Sequence, residues 1–136
     1  SGYLFNWENV KKFDELVKFV DLFLLDIKHI NLEKHKKLTG VSNEYILKFA
    51  RYLDRNGKKV WIRYVLVPDL TDNELDMFRL RDFIDSLGNV EKVEVLPYHN
   101  LGVDKYKQLG IEYRLKDTSL PTKESINRAE EILCNR

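Results

Sequence analysis

Two rhythms of apolar and polar positions alternate along this chain. Val10, Phe13, Leu16, Val17 and Val20 recur at helical spacing, with Lys11, Lys12, Glu15 and Lys18 between them. A first helix is therefore expected from about Trp7 to Val20. The run Leu22-Phe23-Leu24-Leu25-Asp26-Ile27-Lys28 is continuous rather than alternating, which reads as a strand covered on both faces. Asn31 is placed to cap a short helix that Gly40 ends, and Ser42 to cap a second. The second carries Ile46, Leu47, Phe49, Ala50 and Leu53 and stops at Gly57.

Val60 through Val67 is β-branched and aromatic and is closed by Pro68, the strongest strand signal in the chain. Thr71 and Glu74 form a capping-box pattern. The helix after them would use Leu75, Phe78, Leu80, Phe83, Ile84 and Leu87 and end at Gly88. Val93 to Tyr98 predicts a third strand, and residues 100–120 read as a polar connection. Thr122 is placed to cap a last helix bearing Ile126, Ala129, Ile132 and Leu133. Strands alternating with helices of this length predict βαβ units, a parallel sheet and the α/β class. No linker or low-complexity stretch divides the 136 residues, so residues 1–136 are read as one unit.

Charge narrows the partners. Lys plus Arg number 23 and Asp plus Glu 22, a formal net charge of +1. A protein that works by neutralising phosphates carries a clear basic excess, so nucleic acid is not the expected partner. No apolar run approaches the roughly 20 residues that span a bilayer, so no membrane partner is expected either. Cys134 is the one cysteine. It excludes a disulfide framework, and also a metal centre or cluster built mainly from cysteines of these residues. A lone thiol suits a reducing compartment. Ser1-Gly2-Tyr3 has no signal-peptide character and no initiator Met, so the chain is expected to begin inside a longer protein.

Chemistry concentrates at the strand ends. Asp26 and Lys28 lie two apart on the first strand, which points both to one face. Arg63 sits between Ile62 and Tyr64 inside the second, and His99 follows the third. A charge within an apolar strand costs several kcal/mol, by order of magnitude, unless it is paired or lines a polar cavity. Lys28, Arg63 and His99 recur at nearly equal intervals, which suggests equivalent positions and one shared polar site. Ligands of parallel α/β sheets bind at the carboxyl ends of strands. The set suits an anionic or zwitterionic small ligand, with Lys28 and Arg63 toward a carboxylate and Asp26 and His99 toward hydroxyls or an amine. The structural alternatives are an ion pair of Arg63 with Glu94 or Asp26, a mutual or cross-strand pairing of Asp26 and Lys28, and a satisfied histidine at position 99. The spacing of His29, His35 and His99 fits no common metal site. The run Glu33-Lys34-His35-Lys36-Lys37 reads as a solvated helix face, and Trp7 and Trp61 as packing residues. No P-loop, dinucleotide fingerprint or nucleophile elbow is present.

Four segments in order carry a specific likeness: Leu25-Asp26-Ile27-Lys28, Leu38-Thr39-Gly40-Val41-Ser42-Asn43, Val60 through Pro68, and Gly88 through His99. Together they resemble the pyruvate formate-lyase activating enzymes, a radical S-adenosylmethionine family. The likeness covers almost the whole chain and implies the C-terminal half of a partial (β/α)6 TIM-like barrel, strands four to six with their helices. The family's Cys-x3-Cys-x2-Cys loop and its Gly-Gly-Glu segment have no counterpart here. Carried over residue by residue, Asp26, Ile27 and Lys28 match the family's contact to S-adenosylmethionine. His99 matches its contact to the ribose and adenine side, and Arg63 its strand-five arginine. Asp26 would also help hold a monovalent cation.

The chemistry implied by that family is reductive cleavage of S-adenosylmethionine by a [4Fe–4S] cluster bound in the other half. The product, a 5′-deoxyadenosyl radical, takes hydrogen from a glycine of pyruvate formate-lyase. None of the carried-over residues is a general acid or base in that scheme. The implied partners are pyruvate formate-lyase and an electron donor such as flavodoxin or ferredoxin, in the cytoplasm. The chain alone is expected to be inactive, because half a barrel cannot close a dry site. Its open sheet edge is expected to promote self-association. An activator of a different glycyl radical enzyme and a non-catalytic small-molecule binding module are the other readings.

Overall fold

The computed structural model describes residues 10–99 and 119–135, with side chains from residue 14 onward. The elements are α1 (Val10–Val17), β1 (Leu22–Asp26), α2 (Leu32–Thr39), α3 (Glu44–Arg55), β2 (Lys59–Leu66), α4 (Glu74–Asp85), β3 (Val90–Pro97) and α5 (Lys123–Leu133). The strands form one parallel sheet in the order β1-β2-β3. The expected α/β architecture of parallel βα units is what forms, since each crossover carries a helix that covers the strands it joins.

One face of the sheet holds the core. Leu25, Ile27, Val60, Ile62, Tyr64, Leu66 and Val93 are buried there against Phe49, Ala50 and Leu53 of α3, Met77, Leu80 and Ile84 of α4, and Ala129, Ile132 and Leu133 of α5. The opposite face is polar and open among the described residues. Its side chains run in rows across the strands: Leu24, Trp61 and Lys92, then Asp26, Arg63 and Glu94. Leu24 is 47% exposed. The apolar run of β1 is thus covered on one face, not both, because α3, α4 and α5 all pack on the same side. A smaller cluster of Leu38, Val65, Val67 and Tyr98 closes the open face toward the C-terminal ends of β2 and β3.

Several expected boundaries move. In α1, Leu16 is exposed and Val17 is buried; Trp7 lies outside the described residues, as does nearly all of the 100–120 connection. Ser42 supplies the side-chain cap of α3, and Asn43 makes no side-chain cap bond there. The helix starts at Glu44 after Asn43, and Ser42 Oγ accepts from the Glu44 N–H at 3.1 Å. Asn43 is buried and donates through Nδ2 to the carbonyls of His29 (3.2 Å) and Ile30 (2.7 Å), which pins the loop after β1 to the start of α3.

Thr71, by contrast, does not cap α4. Its buried hydroxyl donates to Val65 O and accepts from the Val67 N–H, both at 2.7 Å, satisfying the end of β2. Asn73 takes the capping role, accepting from the Asp76 N–H at 3.1 Å. The helix then turns Leu75 and Phe78 outward and Asp76 and Met77 inward, so the anticipated stripe is partly on the surface. The solvated face expected over residues 33–37 is interrupted by His35, which is buried.

Candidate functional site

Asp26 is the last residue of β1 and stands level with Arg63 in the middle of β2. Arg63 Nε donates to Asp26 Oδ1 at 2.6 Å, with the two side chains about one third and one fifth exposed. Of the two pairings open to Arg63, this one forms. Glu94, level with Arg63 on the other side, pairs instead with Lys92 on its own strand at 2.7 Å.

Ile27 follows with its side chain fully buried in the core, and its N–H donates to Arg63 O at 3.1 Å. Its side chain therefore cannot face a ligand on the open side. Lys28 returns to that side and is half-buried. Burial pushes its ammonium below the ordinary value, against the pull of Asp26.

Asp26 and Lys28 line a pocket of about 50 Å³ together with His35, Thr39, Val41, Ser42 and Ile46. His35, Thr39 and Ser42 were not legible as site residues. The only cue was a histidine and a threonine one helical turn apart in a charged run. His99 is exposed, and the strand pairing stops short of it at Tyr98, whose N–H donates to Leu66 O at 2.9 Å. The sheet register puts Asp26 and Glu94, not Lys28 and His99, level with Arg63. The equal sequence intervals therefore do not mark equivalent positions. Crossovers of different length and an irregularity at Val60/Trp61 shift the strands along each other. The structure brings Asp26, Lys28 and Arg63 together; His99 is at the same end of the sheet and is not among the pocket's lining residues.

A second polar cluster braces the loops above the sheet. His29 is 1% exposed; its Nδ1 accepts from the Asn31 N–H at 3.0 Å, which leaves Nε2 to donate to Leu70 O at 3.2 Å. Buried Asp76 lies 3.8 Å from the same nitrogen and pairs with Lys34 Nζ and, at 3.6 Å, with Arg79. These contacts tie the loop after β1 and the start of α2 to the loop after β2 and α4. Among the described residues no group of three or more metal-ligating side chains forms.

Burial holds both His29 and His35 below the ordinary imidazole value of 6.5. Asp76 opposes this at His29, while Lys28 reinforces it at His35. The folded state thus binds these protons later than the unfolded chain as pH falls. Their contribution to stability is complete above pH 6.5 and is lost as pH falls below it. The urea midpoint is expected to hold above pH 7.5 and to fall between pH 6.5 and 5.5. For two protons the limiting slope is about 2.7 kcal/mol per pH unit. A His29→Gln/His35→Gln double variant should flatten that fall; an unchanged slope would assign it to other groups.

The family model of the Radical SAM superfamily matches residues 1–81, which include β1, β2, Asp26, Lys28 and Arg63. This chain belongs to the radical SAM superfamily. The pyruvate formate-lyase-activating enzyme of Staphylococcus epidermidis (strain ATCC 12228 / FDA PCI 1200) is 55% identical over 119 residues, 88% of this chain and 47% of that protein. The enzyme of the same name from Staphylococcus aureus (strain USA300) is 53% identical with the same coverage. The chain therefore spans about half the length of the curated relatives it matches. A crystallised domain of the pyruvate-formate lyase-activating enzyme from Bacteroides vulgatus ATCC 8482 superposes with a TM-score of 0.76 at 26% identity, covering 97% of this chain and 71% of that one. A radical SAM methyltransferase from Sphaerobacter thermophilus gives a TM-score of 0.63 at 22% identity, covering 91% and 34%, and shows the shared fold alone. The radical SAM neighbours have TIM-like barrels, of which three parallel βα units are present here.

Proposed function

We propose that this chain is the C-terminal half of a radical S-adenosylmethionine activating enzyme for pyruvate formate-lyase, and that its open sheet face orients S-adenosylmethionine. One observation carries the reading: Asp26 and Lys28 share a pocket at the end of β1 while Arg63 holds Asp26 in place. An ammonium partly stripped of water binds a carboxylate more tightly than a fully hydrated one, so Lys28 suits the ligand's carboxylate. Arg63 engages one carboxylate oxygen of Asp26. The other is available to a hydroxyl, an ammonium or a monovalent cation. Ile27 contributes backbone only, and His99 would meet the ribose and adenine side from beyond β3.

When bound, S-adenosylmethionine supplies the adenosyl group from which the family's hydrogen-abstracting chemistry proceeds. A [4Fe–4S] cluster does not fit this chain's own residues, because Cys134 is the one thiol. That thiol donates to Val93 O at 3.2 Å, in the middle of β3 on the core face of the sheet. The cluster is proposed for the half of the barrel that the relatives' extra length would supply, with flavodoxin or ferredoxin as electron donor. The open edge of β1 is where that half would pair, or where isolated chains would self-associate.

Two-dimensional NMR of the ¹⁵N-labelled chain with millimolar S-adenosylmethionine tests the binding role. Shifts are expected at Asp26, Lys28 and His99 and not at Gly57 or Asn89 at the other end of the sheet. Shifts confined to the far end, or none, would sink it. For a chain extended to the relatives' full length and reconstituted with iron and sulfide, a glycyl radical signal on pyruvate formate-lyase is expected by electron paramagnetic resonance. A cluster signal without that radical would point to a different glycyl radical partner, and no cluster to a binding module.

A further inference from the structure

The geometry points to His35 as a ligand-contacting residue of the Asp26–Lys28 pocket, its Nε2 accepting a hydrogen bond from a hydroxyl or ammonium group of the molecule that Lys28 binds. This rests on the pocket being the ligand site proposed above. His35 lies in α2, is 5% exposed, and lines the pocket beside Asp26 and Lys28. Its Nδ1 is 2.7 Å from Val41 O. A carbonyl only accepts, so Nδ1 carries the proton. Thr39 Oγ1 lies 3.1 Å from the same nitrogen and donates to His35 O at 2.9 Å, which closes the Nδ1 side of the ring.

In a neutral imidazole with its proton on Nδ1, Nε2 is a lone-pair acceptor. Burial favours the neutral ring most strongly and Lys28 adds to it, outweighing the opposing pull of the Val41 carbonyl. Among the described residues Nε2 has no hydrogen-bond partner. It is not sealed in the core either: the one buried, unpartnered side-chain polar atom among those residues is Asn89 Oδ1. An unpartnered nitrogen on so buried a ring opens on the space beside it, and that space is the pocket.

A histidine needed only to staple Val41 would use Nδ1 alone. Here a second, neutral acceptor stands next to a cation. Lys28 with His35 offers one donor and one acceptor, which matches a ligand group with an acceptor and a donor side by side. The pocket, about 50 Å³, presents this pair of groups to one polar part of a ligand. An α-amino acid head and a ribose diol share that chemistry.

Long-range ¹H–¹⁵N correlation of the imidazoles of the intact chain tests this directly. Without ligand, His35 is expected as the Nδ1–H tautomer. Saturating S-adenosylmethionine should then move the Nε2 resonance upfield. The same shift with methionine assigns the contact to the amino acid head; with adenosine, to the ribose. His35→Asn keeps a donor near Val41 O but lacks Nε2, and should bind about tenfold more weakly while its spectrum outside the pocket stays that of the folded chain. An Nε2–H tautomer in the free chain would overturn the inference. So would an unmoved Nε2 and full affinity of His35→Asn while Lys28 still responds to ligand, and the ligand reading would then stand. No response from any pocket residue would remove both.

Discussion

Lys28→Met is expected to lower the affinity for S-adenosylmethionine about thirtyfold while leaving the fold as stable as before, or slightly more so. The two effects have opposite signs for one physical reason. The Lys28 ammonium is half-buried and held below its ordinary pKa chiefly by loss of water, so the protein carries a desolvation cost that Asp26 offsets only in part. Met keeps the length and the apolar stem and removes that cost. The ligand carboxylate, however, loses a charge-assisted hydrogen bond, a contribution of about 2 kcal/mol. Calorimetric titration and urea unfolding of the same variant read the two effects separately. A fall in stability with unchanged affinity would make Lys28 a structural partner of Asp26 and not a ligand contact.

Leu53→Ala is expected to destabilise the chain by about 3 kcal/mol, whereas Leu24→Ala should cost less than about 1 kcal/mol. Leu53 is fully buried in α3 within the cluster that joins α3, α4 and α5 to the sheet. Truncating it removes the transfer energy of its methyl groups and leaves a cavity among side chains that cannot all collapse into it. Leu24 stands on the open face and is 47% exposed, so truncation there removes little contact. Against a total stability of roughly 5–15 kcal/mol for a domain, the first change alone would remove a large share. Urea unfolding of both variants checks the contrast. Equal losses would mean that the open face is covered in solution.

The alternation of strand and helix was readable because each element carries its own period. The apolar run ending at Lys28 and the β-branched run from Val60 mark β1 and β2, and both form where expected. Capping was less legible. Ser42 does cap α3, but Thr71, with the right chemistry at the right distance from a helix, loses to Asn73, which stands closer to where α4 begins. Polar residues near a helix start compete, and the winner depends on which backbone groups the neighbouring strand leaves unsatisfied. At Thr71 those groups are Val65 O and the Val67 N–H.

At the site, Asp26, Lys28 and Arg63 stood out because a charge inside an apolar strand is improbable without a partner or a ligand. His35 did not stand out, since four charged neighbours disguised it as part of a solvated face. The sequence by itself determined the class of fold, the order of its units, the superfamily likeness and the three charges that meet at the end of β1. Only the tertiary structure decided which partner Arg63 takes, that His99 lies past the level of the other three, and that His35 opens on the pocket. Those outcomes depend on strand register and on how α2 rests against the sheet, and both are set by contacts between residues far apart in the chain.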